Sequence, residues 1–259
     1  MRRISVVIIT KNEEGNIRDC VESVKWADEI VVVDDYSTDK TVEICREYPN
    51  VKIYLNEMKG FGSQKQYALD KASYEWILFI DADERVTPEL GREIIEKINK
   101  EHYDGYYLRR NNFIFGKWML DYKPRALRVF KKESAKFNQR YVHEAVILKG
   151  KAGALKESLI HIPRSCKSIE NYISTYVNRY SSLAARDFYK RGIRINRKNF
   201  MFYFVLKPKL IFIQKFLLKR GYKDGWEGFL LSFLSACAYI MSYAKLWEMQ
   251  RKIRDEEGI

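Results

Sequence analysis

Three unbroken apolar runs constrain this chain more than any other feature: ISVVIIT (4–10), EIVVVDD (29–35) and WILFIDAD (76–83). A shorter run, VKIYL (51–55), lies between the last two. Their β-branched residues do not alternate with polar ones, so each strand must be covered on both faces. The intervening stretches carry apolar residues at helical spacing, as in Ile17, Cys20, Val21 and Val24. Strands alternating with helices predict an α/β fold with a parallel sheet between helical layers. With 259 residues and 46% hydrophobic content, the chain has enough for one large domain or a medium domain with an appendage.

The strand ends carry the unusual polar residues. The first strand runs into Thr10, Lys11, Asn12 and Glu13, the second into Asp34 and Asp35, and the fourth into Asp81, Asp83 and Glu84. In open parallel α/β sheets, ligands bind outside the carboxyl ends of the strands. Three crowded acids raise one another's pKa unless a positive partner sits among them. Oxygen ligands without nearby cysteine favour Mg²⁺ or Mn²⁺, ions that complete their shells with water and phosphate oxygens. The expected partner is therefore a divalent cation carrying a diphosphate. Acids at strand ends also serve as turn formers and helix caps, and VDDYSTDKT reads equally as an Asx-type turn. No G-x-G-x-x-G follows the first strand and no G-x-x-x-x-G-K-[ST] occurs, so a glycine-rich phosphate cradle is excluded.

Downstream, Thr87 and Pro88 read as the N-cap and first residue of a helix with Leu90, Ile94, Ile95 and Ile98 as its buried stripe. GYYLRR, RALRVF, EAVIL and ESLIHI predict a mixed or antiparallel extension of the sheet. Near residue 165 the composition shifts, giving expected domains of 1–165 and 166–259. Ser168 caps a helix whose apolar face is read as Ile169, Tyr172, Ile173, Tyr176, Tyr180 and Leu183. The net charge of +13, concentrated between Arg186 and Lys223, calls for an anionic partner. Four scattered cysteines fit a reducing, cytoplasmic setting, and the first apolar run is too short for a signal-peptide core. The uncharged segment 228–244 is short for a membrane span. With NFMFYFVLKPKLIFIQKFLLKRGYK, it predicts helices lying in a membrane interface, with packing on the catalytic domain as the alternative.

SVVIITKNEEGNI, VVVDDYSTDKT, GFGSQKQYAL and WILFIDADERVTPEL resemble, in order, the motifs of family 2 glycosyltransferases of the GT-A fold. YVHEAV, LIHIP, NRYSSLAA, DGWEGFLLSFLSA and YAKLWE are similar to the lipopolysaccharide-core branch that includes β-1,4-glucosyltransferases. The resemblance implies a mixed GT-A sheet flanked by helices, with a C-terminal helical, membrane-associating extension. It implies that Thr10, Asn12, Glu13, Asp34 and Asp35 hold the nucleotide of a UDP-sugar and that Gln64 and Lys65 meet its diphosphate. Asp81 faces the ribose or sugar, Asp83 ligates Mg²⁺ or Mn²⁺, and His161 supplies a further metal ligand. The base is Glu144, with His143 as the alternative. Transfer with inversion goes to a lipid-linked glycan acceptor, at the cytoplasmic face of the bacterial membrane. Arg109, Arg110, Trp118, Arg125, Arg128 and Arg179 are candidates to receive a phosphate-bearing acceptor. Two other readings stand beside this one. A sugar-1-phosphate nucleotidyltransferase shares the carboxylate-bound Mg²⁺ but opens with a Gly-rich basic loop that TKNEEGN lacks. A basic nucleic-acid-binding module fits the charge but not the acidic rim.

Overall fold

The computed structural model of the chain describes residues 2–100, 102–121, 123–138 and 145–257. Its contacts divide it into two compact units, Met1–Asn111 with Lys123–Ile162 and Asn112–Tyr122 with Pro163–Ile259. In the first unit β1 (Ile4–Thr10), β2 (Glu29–Asp34), β3 (Val51–Leu55) and β4 (Trp76–Asp81) pair in parallel, in the order β3-β2-β1-β4. Every residue of β1 and β2 is buried, as their unbroken apolar runs require. Beyond β4 the sheet continues through β8 (Arg125–Lys131), β6 (Gly105–Ile114), β11 (Ala152–His161) and β5 (Glu84–Arg85). The pairs β4 with β8, β8 with β6 and β11 with β5 are antiparallel, which makes the sheet mixed, and β9 (Ala135–Phe137) pairs antiparallel with β10 (Val146–Leu148) in a separate two-stranded sheet.

Successive side chains of a strand point to opposite faces, and each face has its own core. Val6, Ile8, Ile30, Val32, Leu78 and Ile80 pack against α1 (Ile17–Ser23), α2 (Thr41–Arg46) and α4 (Pro88–Lys100). On the other face Val7, Ile9, Val31, Val33, Ile77 and Phe79 pack with Ala68 and Leu69 of α3 (Phe61–Lys71). The Thr87 hydroxyl accepts a hydrogen bond from the Leu90 N–H at 3.2 Å, so the predicted cap of α4 forms. Leu90, Ile94 and Ile98 are buried; Ile95 only borders the core.

The end of the sheet away from the acidic rim is tied by one buried carboxylate. Glu29 accepts from the Ser5 hydroxyl at 2.6 Å, Lys52 Nζ at 2.7 Å, and the Ser73 N–H and hydroxyl at 2.8 and 2.7 Å. Burial pushes its pKa up, but these bonds outweigh burial and bring it from 4.5 to about 2. The folded pKa is the lower one, so the stabilisation is complete above the unfolded value and is lost as pH falls from about 4.5 towards 2. Its size is roughly 3 kcal/mol. Glu29→Gln is expected to lower stability at neutral pH by about 2–3 kcal/mol and to flatten the acid limb of the stability profile, measured by urea unfolding between pH 2.5 and 7. An unchanged acid limb would remove Glu29 as its source.

The second unit is helical. Its elements are α5 (Ile169–Tyr172), a π-helical segment Ile173–Tyr180, α6 (Ser181–Lys190), a second π segment Phe202–Leu206, α7 (Lys207–Ile213), a third Gln214–Leu218, and α8 (Gly225–Glu257). Ser168 caps α5 as expected, its hydroxyl accepting from the Asn171 N–H at 3.1 Å. The face read from α-helical spacing changes, because the wider π turns rotate it. Tyr172 is buried and Tyr176 and Val177 pack beside it, while Ile169 and Ile173 are exposed. Within this unit the short hairpin around β7 (Lys117–Trp118) is anchored to the start of α8. The Asp224 carboxylate accepts from the Leu120 N–H, and Lys117 Nζ donates to the Asp224 carbonyl at 3.1 Å and pairs with Glu227 at 3.3 Å. Gly228 is required here, since a Cβ would overlap the carbonyl oxygen of Gly221. Asp224, Glu227 and Gly228 of the run DGWEG are thus accounted for by packing, while Trp226 is exposed. Among the described residues one helix, within Gly221–Lys252, is long and apolar enough to cross a membrane by length and composition.

Candidate active site

The chain leaves β1 to one side for β2 and β3 and returns on the other side at β4, so the crevice between β1 and β4 is the switch point at which open α/β sheets bind ligands. Strand register fixes what stands there. Thr10 pairs with Asp34 and Ile9 with Asp81, which brings three segments of the sequence to one rim. Thr10 Oγ1 is buried there and has no hydrogen-bond partner among the described residues. The Asp34 carboxylate accepts from the Ser37 N–H at 2.7 Å and from the Ser37 hydroxyl. Asp35 accepts from Lys11 Nζ at 2.7 Å and from the Met58 N–H at 3.0 Å.

Asn12 and Glu13 tie two rim loops together. Asn12 takes the left-handed conformation (φ 54°), which asparagine tolerates. Its side-chain oxygen accepts from the Thr38 N–H at 2.8 Å, and its own N–H donates to the Ser37 hydroxyl at 2.7 Å. The Glu13 N–H donates to Thr41 Oγ1 at 2.8 Å and its carboxylate accepts from Asn16 at 2.7 Å. Gln64 is buried and faces Asn56, accepting from its amide at 2.7 Å and donating to its carbonyl at 2.9 Å. Both bonds between Gln64 and Asn56 are internal to the wall of the site.

Two of the acids at the end of β4, Asp81 and Glu84, have positive partners within the chain. Asp81 meets Lys65 at 3.1 Å through one oxygen and Arg128 at 2.9 Å through the other. Burial pushes the Asp81 carboxyl up. The charges of Lys65 and Arg128, the Arg128 hydrogen bond and the charge of Arg110 outweigh it and hold the group well below the usual carboxylate range. Glu84 is fully buried; it pairs with Arg128 at 2.8 Å and Arg110 at 3.3 Å and accepts from the Asp81 N–H at 3.0 Å. The expectation that these carboxylates share a divalent cation is thus corrected for two of them, which lysine and arginine neutralise. Arg110 and Arg128, expected on the acceptor side, are likewise turned inward to this network.

Asp83 differs. Its Oδ2 lies 3.4 Å from His161 Nε2, and no lysine or arginine pairs with it among the described residues. The contact exists because β5 pairs with β11, setting His161 opposite Glu84, while the Ile162 N–H donates to the Asp83 carbonyl at 3.0 Å. Adjacent ligands of a small octahedral cation lie about 3 Å apart, so one carboxylate oxygen and one imidazole nitrogen at this separation fit a shared ion. Among the described residues no group of three or more His, Cys, Asp or Glu is placed to hold a metal. Such an ion would therefore take its remaining ligands from water and substrate, as Mg²⁺ usually does. Glu144 and His143 lie outside the described residues.

One feature escaped the sequence reading, and one pair expected on the acceptor side gains a geometry. Tyr36, next to Asp35, is exposed and holds a left-handed conformation (φ 51°) that is an outlier for a bulky residue. Such strain clusters at functional sites. Arg109 and Arg125 stand directly opposite each other on β6 and β8, both exposed and with no acidic partner among the described residues. Because β8 runs antiparallel to β4, Arg125 falls towards the carboxyl end of β4. Like charges so placed are unfavourable unless an anion joins them.

Residues 5–162 match the model of the family described as Glycosyl transferase family 2. A glycosyltransferase of Rickettsia felis is 33% identical over 274 residues, covering 98% of this chain and 93% of its own. The lipopolysaccharide core biosynthesis glycosyltransferase LpsC of Rhizobium meliloti is 28% identical, covering 95% and 92%. The crystal structure of S. aureus TarS 1–349 in complex with UDP-GlcNAc superimposes with a TM-score of 0.53 at 18% identity, over 95% of this chain and 92% of that one. Its fold is the GT-A fold expected from the sequence. From the match over most of the sheet-bearing unit and the identity along nearly the whole length, the chain belongs to glycosyl transferase family 2.

Proposed function

We propose that this glycosyltransferase is a metal-dependent hexosyltransferase that moves a sugar, with inversion, from a UDP-sugar to a hydroxyl of a lipid-linked glycan such as lipopolysaccharide core. It works as a peripheral protein on the cytoplasmic face of the bacterial membrane. The observation that carries the reading is the register that sets Thr10, Asp34 and Asp81 on one rim at the switch point, with Asp83 and His161 beside them. The complex of TarS with UDP-GlcNAc supports a uridine nucleotide, and the likeness to LpsC supports the acceptor class.

In this reading Asp34, Asp35 and the Thr10 hydroxyl take the nucleoside, with Tyr36 offering an aromatic face; ionised acids offer acceptors suited to ribose hydroxyls and the uracil N–H. Asn12, Glu13 and Gln64 hold the walls of that pocket. Lys65, paired with Asp81, faces the diphosphate. Asp83 and His161 would hold Mg²⁺ or Mn²⁺, and the ion when bound supplies charge neutralisation for the departing diphosphate. An acceptor oxygen attacks the anomeric carbon, the bond from that carbon to the diphosphate oxygen breaks, and Glu144 takes the acceptor's proton. Asp81, oriented by Lys65 and Arg128, faces the sugar. Arg109 and Arg125 form a site for a phosphate on the acceptor.

A screen of nucleotide sugars for slow, cation-dependent hydrolysis without acceptor tests this. One UDP-sugar is expected to be consumed, and Glu144→Gln is expected to bind it normally while losing transfer by at least about a hundredfold. If no nucleotide sugar is consumed with either cation, the donor reading is wrong; near-normal transfer by the variant would move the base elsewhere.

A further inference from the structure

In the second unit, one face carries a row of apolar side chains that the unit leaves uncovered. Met201, Phe202, Leu206, Leu210 and Leu218 are 64, 44, 48, 51 and 75% exposed, and Trp226 at the start of α8 is 77% exposed. Phe202, Leu206, Leu210, Gln214 and Leu218 recur every four residues. In an α-helix of 3.6 residues per turn such a repeat drifts around the axis. Here α7 is flanked by the π segments Phe202–Leu206 and Gln214–Leu218, whose wider turns keep the row in line. A groove of about 350 Å³ on the same surface is lined by Phe202, Lys207, Leu210, Ile211, Gln214 and Leu218.

The charge on this limb has one sign. Between Asp187 and Asp224 there are eleven Lys or Arg and no acid. Lys209, Lys219 and Arg220 are exposed and have no acidic partner among the described residues. By contrast, α8 is the spine of the unit, burying Leu231, Ala236, Tyr243 and Leu246. Ser232, Ser235 and Ser242 on it are buried and donate to carbonyls one turn back. Part of its apolar character is thus used inside the protein, while Phe233, Met241 and Trp247 on it stay partly exposed.

We infer that the limb from about residue 200 to 226 lies in the plane of an anionic phospholipid bilayer, its apolar row in the acyl boundary and its lysines and arginines among the lipid phosphates. Charge complementarity selects the occupant: apolar side chains interleaved with unpaired cations match an anionic membrane surface. Nucleic acid would match the cations but leave the apolar row exposed. The inference deepens the membrane-side reading given above and rests on it.

Co-sedimentation of the full chain with vesicles tests it, with calorimetric binding of uridine diphosphate measured on the same samples. Wild type is expected to bind vesicles containing phosphatidylglycerol at least tenfold more tightly than pure phosphatidylcholine vesicles, and less tightly as salt rises. Leu210→Glu with Leu218→Glu is expected to lose at least tenfold in vesicle affinity while keeping nucleotide binding. Should that variant fail to fold, Lys209→Glu with Lys219→Glu is expected to remove the preference for the anionic lipid. Equal vesicle binding by either folded variant and wild type overturns the inference, as does nucleotide binding without vesicle binding, an outcome that leaves the transferase reading standing. Resistance of the bound protein to alkaline carbonate overturns it in favour of α8 as a span.

Discussion

Arg128→Met is expected to destabilise the first unit by about 3–5 kcal/mol, the range for removing one partner of a buried ion pair. Arg128 bridges two carboxylates, Asp81 at 2.9 Å and the fully buried Glu84 at 2.8 Å. Without it Glu84 keeps the Asp81 N–H and, as its one ion pair among the described residues, the longer contact with Arg110. The uncompensated charge then either stays buried or takes up a proton, and both cost stability. Glu84→Gln on the Arg128→Met background is expected to recover a large part of the loss, because it removes the stranded charge. Urea unfolding of the two single variants and the double variant gives the coupling energy directly. Additive effects would mean that the pair is not coupled, and a loss below about 1 kcal/mol would place Arg128 in solvent.

Asp83→Ala is expected to leave the fold unchanged yet lower the cation-dependent affinity for uridine diphosphate by about a hundredfold. Asp83 sits at the rim, its carboxylate in contact with His161 at 3.4 Å and, among the described residues, held by no arginine or lysine. Its removal therefore strands no buried charge. Its neighbour Asp81 is neutralised twice over by Lys65 and Arg128 and is poorly placed to attract a second cation. The two variants thus have opposite signatures: Arg128→Met acts on stability, Asp83→Ala on nucleotide and metal. Calorimetric titration with and without Mn²⁺ separates them, and full cation-dependent affinity in Asp83→Ala would remove that residue from the site.

The parallel strands were legible because nothing interrupts ISVVIIT or EIVVVD, so no alternative to double-sided burial existed for them. Asp34, Asp81 and Asp83 were legible because they end such runs. What neutralises the acids was not. Arg128 belongs to β8 and reaches Asp81 only through antiparallel pairing with β4, and nothing local distinguishes an inward arginine from one awaiting an acceptor. The nearness of His161 to Asp83 depends in the same way on the β5 and β11 pairing, a long-range contact without a sequence period. In the C-terminal helices part of the error had a local cause. Ile173 fits a 3.6-residue repeat but opens the π segment that runs to Tyr180 and is exposed; the exposure of Ile169, on α5 before that segment, has no such cause.

Everything assigned to the rim depends on its taking a nucleoside diphosphate together with a divalent ion that Asp83 and His161 help to hold. Titrating the wild-type chain with uridine diphosphate, first in the presence of a chelator and then with Mn²⁺, measures that coupling without any acceptor or turnover. Binding that strengthens at least about tenfold when Mn²⁺ is supplied is the expected result; the same affinity under both conditions, or no binding under either, would contradict it.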